Sequence, residues 1–271
     1  MTRQLWLLGV VAAVTPSAGF ACDPAQFDHA NAALAADRLI QVERMIAGLR
    51  PSCGSEDRYR RLSGQWALRV GRYDQAFALF SELLQRAPDD WEPLSGAGRA
   101  AFNLGRVDQA YDYLMRASGL PGADWRTWNA LAVLHDQRHA WEASAEAYRR
   151  ALALSDRSAS IWNNRGYSLM LQRRFPEAAS DLDRAVALDP NNPIYRTNRD
   201  LAHAMAGQYA QRRRGESRRE WGRRLNNMGY AAWLAGNREA ARSLLARAIE
   251  ESDVAMGRAE ANLNMLEGSN D

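Results

Sequence analysis

Ile161-Trp162-Asn163-Asn164-Arg165-Gly166-Tyr167-Ser168-Leu169, continuing to Phe175, Ala178, Leu182, Ala185 and Pro190, is the stretch that decides the fold. Counted from residue 159, Trp162, Gly166, Phe175, Ala178, Leu182, Ala185 and Pro190 take places 4, 8, 17, 20, 24, 27 and 32. The same places 34 residues earlier hold Trp128, Ala132, Trp141, Ser144, Tyr148 and Ala151. A further 34 back, Gly98, Gly105, Val107, Ala110, Leu114 and Ala117 follow the pattern, and before them Gly64, Gly71, Tyr73, Ala76, Phe80 and Pro88. Repeats starting at 57, 91, 125, 159 and 193 keep this register without an insertion.

Small residues at places 8, 20 and 27 let two antiparallel helices approach closely, while large ones at 17 and 24 fill the space between them. Proline at 32 ends the second helix. Spacing and residue types together resemble the tetratricopeptide repeat. The fold expected is all-α, a right-handed superhelical solenoid of antiparallel helix pairs, about seven units long with degenerate ends. Residues 22–56 read as a divergent capping hairpin and 57–209 as the repeat array. In the unit from 193, Gly207 and Tyr209 fit, but Arg212, Glu216 and Arg219 occupy places 20, 24 and 27, so the second helix fails. The pattern resumes at Leu225, Gly229, Gly236, Ala241, Leu245 and Ala248, counted from 222. Residues 210–221 are thus an arginine-rich connector, and 222–271 a last repeat with a capping helix closed by Gly268.

Composition excludes several classes. The chain has 271 residues, 46% of them apolar, with 35 basic and 32 acidic side chains and a net charge of +3. That is too apolar for a disordered chain and too weakly basic for wholesale nucleic-acid binding. Every basic residue is arginine, whose planar fork suits carboxylates. Arg3 precedes an apolar run over residues 5–14, and Pro16 and Gly19-Phe20-Ala21 follow it. The run is too short to span a membrane. It reads as a secretory signal peptide over residues 1–21, cut after Ala21. Export to a periplasm gives Cys22 and Cys53 two readings: a disulfide closing the N-terminal hairpin, or lipidation of Cys22 in a membrane lipoprotein. The segment before Cys22 lacks the aliphatic residue that a lipoprotein signal carries three places ahead.

Catalytic signatures are nearly absent: there is no phosphate-binding glycine loop, no G-x-S-x-G and no CxxC. His135 and His139 are four apart, but His139 falls in an inter-helix turn, and Gln137 and Arg138 are poor ligands. We expect no enzyme activity, cofactor or metal. Trp128, Trp141 and Trp162 occupy packing places and are expected in the core.

The repeat resemblance implies a ligand face along the first helix of each unit, at places 2, 5, 9, 12 and 13. The candidates there are Arg58, Arg61, Gln65, Arg99, Arg126, Asn129, Asn163, Tyr167, Asn226 and Tyr230, with Asp136 and Met170 on the same face. The arginines suit an acidic protein or peptide segment. Asn129, Asn163 and Asn226 recur at place 5, and asparagine is a poor helix-interior residue, so the recurrence needs a reason. The second departure is the cluster Arg212, Arg213, Arg214, Arg218, Arg219, Arg223 and Arg224. It reads either as a charged connector or as a patch for an acidic partner or anionic lipid headgroups.

The stretch 161–169, then Leu188-Asp189-Pro190-Asn191-Asn192 and Arg196-Thr197-Asn198-Arg199-Asp200-Leu201-Ala202, resembles the TadD-like proteins of tight-adherence (Flp) pilus assembly. Ala261-Asn262-Leu263-Asn264-Met265-Leu266 is similar to their C-terminal helix. Arg165 and Arg199 replace the usual leucine or alanine. The resemblance implies a periplasmic scaffold whose partners are a secretin or other pilus components. A generic envelope adaptor is the alternative.

Overall fold

The computed structural model describes residues 22–251 and 256–268; the signal-peptide reading of residues 1–21 lies outside them. Among the described residues the only regular structure is fourteen helices: α1 Pro24–Ala35, α2 Leu39–Cys53, α3 Asp57–Arg69, α4 Tyr73–Arg86, α5 Trp91–Asn103, α6 Val107–Ser118, α7 Trp125–Gln137, α8 Trp141–Leu154, α9 Ala159–Leu171, α10 Phe175–Leu188, α11 Pro193–Met205, α12 Arg218–Ala235, α13 Arg238–Glu251 and α14 Met256–Gly268. The all-helical class expected from the repeat pattern is therefore what the chain adopts. First helices begin at 57, 91, 125, 159 and 193, and second helices at 73, 107, 141 and 175, each 34 apart. The residue just before three of the first helices supplies a cap of the same chemistry. Asp90, Asp124 and Asn192 each accept from backbone N–H groups of the first turn, whereas Ser158, at the same place before α9, makes no such bond.

The chain divides into two compact units after Tyr113, within α6. In the first, Phe27, Val42, Leu62, Trp66, Phe80 and Leu83 form one buried cluster. Phe80 fills the narrowest gap. A Cβ on Gly64 would lie 2.8 Å from its Cζ, and one on Gly96 2.4 Å from its Cε2. Cys22 and Cys53 are joined by a disulfide with their Cα atoms 5.3 Å apart. Closing that 31-residue separation contributes about 4 kcal/mol through the unfolded state. A sulfur so engaged is not available for a thioether to lipid.

The second unit repeats the scheme. α7 packs on α8, α9 on α10, and α12 on α13, while α11 lacks a helical partner of its own and lies between α10 and α12. Ala178, Leu182 and Ala185 are buried at places 20, 24 and 27, as are Ala241, Leu245 and Ala248. Helix α12 starts at Arg218, four residues inside the segment expected as connector. Ser217 and Glu220 form a reciprocal capping box there.

One recurrence marks the turns after α1, α3, α5, α7, α9 and α11. Asp37, Gly71, Gly105, His139, Arg173 and Gly207, 34 residues apart in succession, all have φ between 55° and 80°. The inter-helix turn thus demands the left-handed region, which costs a residue with a Cβ about 1 kcal/mol. His139 bears this cost while its backbone N–H donates to the Asp136 carbonyl at 2.9 Å and its ring meets Trp141 edge-to-face. His139→Gly is expected to raise stability by about 0.5–1 kcal/mol. A thermal-unfolding midpoint at or below wild type would contradict it.

Candidate functional site

In the first unit the expected ligand face begins with an arginine-rich row, and the structure gives part of that row internal work. Arg58 is exposed on α3. Arg61, however, donates to Glu92 at 2.8 Å and pairs with Asp90 as well, while Gln65 donates to Glu92 at 3.3 Å. The charge of Arg61 is thus matched by α5 and its cap rather than held open for a ligand. The sequence carried the signal, since Asp90 and Glu92 stand at place 34 of one repeat and place 2 of the next. Arg99 is half-buried on α5.

In the second unit Arg126 pairs with its own cap residue Asp124 at 3.2 Å and lies over the Trp125 ring at 4.4 Å. The recurring asparagines have a structural reason. Asn164 donates to Asn129 at 3.2 Å, Asn198 to Asn163 at 2.9 Å, and Asn262 to Asn226 at 2.8 Å. Each place-5 side-chain carbonyl accepts an amide from a helix 35 or 36 residues on. Asn163 and Asn226 are buried. The asparagine row is therefore a ladder holding first helices side by side, and it leaves Asn163 and Asn226 little surface for a partner's backbone.

Asp136 and Met170, expected on the same face, are also buried. Asp136 on α7 accepts from Tyr148 at 2.9 Å, from Ser168 at 2.6 Å and from Ser144, joining α8 and α9 to α7. Among the expected face residues of the second unit it is Tyr167 and Tyr230, at place 9 of α9 and α12, that are open, 49% and 38% exposed. Leu171 and Leu234, at place 13 of the same helices, are exposed beside them. The turn after α9 reaches the end of α12, where Arg173 donates to the Leu234 and Ala235 carbonyls, both at 3.3 Å. Trp233 stands edge-to-face with Tyr230, ring centroids 5.7 Å apart.

The tryptophans correct one expectation. Trp128, Trp141 and Trp162 are half-buried rather than central in the core. Arg150 lies over Trp128 at 4.6 Å and Arg165 over Trp162 at 4.8 Å, so each flat face is covered by a guanidinium. Arg165 also grips the buried Asp181 with two hydrogen bonds of 2.6 and 2.7 Å. That use explains an arginine where leucine or alanine was the expected pattern. Partial burial, then the charge of Arg138, holds the His135 imidazole below its ordinary pKa. His139 occupies the left-handed turn. Among the described residues no three His, Cys, Asp or Glu side chains are grouped as metal ligands.

The connector at 206–217 is neither helical nor loose. Arg212 donates to the Glu216 carbonyl at 2.8 Å. Asp200 of α11 collects Arg199 and Arg213 at 2.8 Å and Arg224 at 3.0 Å, and Arg224 reaches Glu216 at 2.7 Å. Arginines 213 and 224, read from the sequence only as part of a surface cluster, bind this segment to α11 and α12, while Arg199 pairs with Asp200 within α11.

Comparison with known proteins agrees with this repeat geometry. Two tetratricopeptide repeat family models match, one over residues 67–134 and the other over 129–193. An N-terminal acetyltransferase A complex subunit-like protein of Schizosaccharomyces pombe is 22% identical over 142 residues, covering 51% of this chain and 20% of that protein. The solved APC/C hetero-tetramer Cut9–Hcn1 superposes with a TM-score of 0.56 at 14% identity, over 91% of this chain and 43% of that one. A tetratricopeptide repeat protein from Parabacteroides merdae gives a TM-score of 0.49 at 10% identity, covering 90% of this chain and 98% of the other. The chain thus spans a fifth of that curated relative and less than half of the Cut9–Hcn1 chain, and the likeness is one of fold.

Proposed function

From the premise that this chain is a tetratricopeptide repeat protein, we propose that it is a non-catalytic, exported scaffold that holds a segment of a protein partner across α9 and α12. The carrying observation is the pairing of Tyr167 with Leu171 and of Tyr230 with Leu234. These side chains stay exposed at matching places on two helices whose other apolar residues are largely buried. Flat amphipathic rings at such positions bury large area at small entropic cost, and exposed apolar groups that cluster mark interaction surfaces. Export is supported by the charge, apolar-run and small-residue pattern of residues 1–21, and by a Cys22–Cys53 disulfide, which persists in an oxidising compartment.

The apparatus served is the tight-adherence (Flp) pilus, on the strength of the TadD-like stretch at 161–202 and its companion at 261–266. The partner is then a secretin or another pilus component in the periplasm. Affinity capture of tagged mature protein from the native cell envelope, beside the double variant Tyr167→Ala/Tyr230→Ala, tests both parts. Wild type should recover a secretin or pilus protein, and the variant should lose at least about 90% of it, as truncating two aromatic anchors implies. Equal recovery by the variant would remove the tyrosine surface from the reading. Unchanged pili and secretin assembly after loss of the gene would remove the pilus.

A further inference from the structure

In the unit beginning at residue 193 the helix pair is incomplete, and a cavity of about 910 Å³ lies beside it. The first helix, α11, is present. Residues 206–217 then run without helix, because Arg212, Glu216 and Arg219 stand where a second helix would need small and apolar side chains. The cavity is walled by α11, by Arg213–Glu216, by the first half of α12 and by Arg258 of α14. Seven arginines line it against three carboxylates.

Those carboxylates are already occupied. Asp200, its side chain 12% exposed, is shared by Arg199, Arg213 and Arg224. Glu216, 7% exposed, holds Arg224. Glu220 accepts from Ser217 in the capping box, and those hydrogen bonds hold its pKa below the usual carboxylate value. Arg196, Arg214, Arg219, Arg223 and Arg258 line the same cavity, and among the described residues none of their side chains makes a hydrogen bond or ion pair, although the Arg223 charge also helps to lower the Glu220 pKa. Like charges gathered in a concave wall repel one another and concentrate field into the space they enclose. Such an arrangement is stabilised by an anion entering it.

The shape narrows the choice of anion. Arg196 is half-buried on α11 inside the cavity, out of reach of a flat membrane surface. Guanidinium forks match carboxylates bidentately. The exposed Asn227, on the same wall and without a hydrogen bond of its own, offers an amide to a peptide backbone. We propose that this cavity binds a short carboxylate-rich polypeptide segment, independently of the tyrosine surface on α9 and α12.

The test uses the mature protein and a fluorescent peptide of five glutamates flanked by Gly-Ser, with the matching glutamine peptide as its neutral counterpart. The variant is Arg214→Gln/Arg219→Gln/Arg223→Gln, which breaks no intramolecular ion pair and should keep the wild-type melting temperature. A control with the same charge change elsewhere is Arg38→Gln/Arg44→Gln/Arg50→Gln. We expect the glutamate peptide to bind and the glutamine peptide not to. Affinity should fall about 100-fold or more in the cavity variant, as loss of charged hydrogen bonds implies, and stay within about twofold in the control. Absence of glutamate-peptide binding, equal affinity in the cavity variant, or an equal loss in the control would overturn the proposal. So would binding only to phosphatidylglycerol vesicles, which would assign the arginines to lipid.

Discussion

Phe80→Ala is expected to cost the first unit about 3–5 kcal/mol, the range for removing a fully buried aromatic ring. The site cannot collapse to soften the loss. The ring of Phe80 lies between the backbones of Gly64 and Gly96, and both residues lack the side chains that could move into the space. α3 and α5 are spaced by that ring, so the cavity falls between three helices rather than at an edge. Urea unfolding followed by far-ultraviolet circular dichroism measures it. A change below about 1 kcal/mol would mean that α3, α4 and α5 close over the gap, contrary to the packing described.

The second large effect is in the other unit. Asp136→Ala removes a carboxylate that receives hydroxyls from Ser144, Tyr148 and Ser168, and should cost about 3–5 kcal/mol. The serines can turn toward backbone carbonyls of their own helices. Tyr148 cannot turn, and its hydroxyl would be left buried without an acceptor. Burial, then the Asp136 charge, raises the Tyr148 pKa well above its ordinary value, so the phenol stays a donor throughout the neutral range. Asp136→Asn, which keeps an acceptor, should lose less than half as much. Equal losses in the two variants would show that charge rather than acceptor count holds α7, α8 and α9 together.

How much of this was legible beforehand depended on the range of the interaction. Helix pairs, their boundaries at 57, 91, 125 and 159, and the buried residues at places 20, 24 and 27 could be read, because close helix contact restricts size at fixed intervals. The failure of the second helix after α11 was legible for the same reason, from Arg212 and Arg219. Side-chain partners were not. Asp136 looks like a groove residue until Ser144 and Ser168 are seen to converge on it from two other helices. The asparagine row announced itself by recurrence, but its acceptor geometry depends on a partner 35 or 36 residues away. Arg150 covers Trp128 from the next helix, which no short-range pattern encodes, whereas Arg165 stands three residues from Trp162 on the same helix, a spacing open to view in the sequence.

Residues 206–217 are fastened by guanidinium–carboxylate pairs where every complete repeat is fastened by apolar contact. Sulfate and other excluded salts tighten apolar burial, whereas screening acts on charges more than about 10 Å apart at 0.1 M and reaches buried pairs little. Arg224 holds Asp200 at 3.0 Å and Glu216 at 2.7 Å, with none of the three side chains more than 14% exposed. A rise in ionic strength therefore stiffens the paired helices and leaves the strap between α11 and α12 fastened.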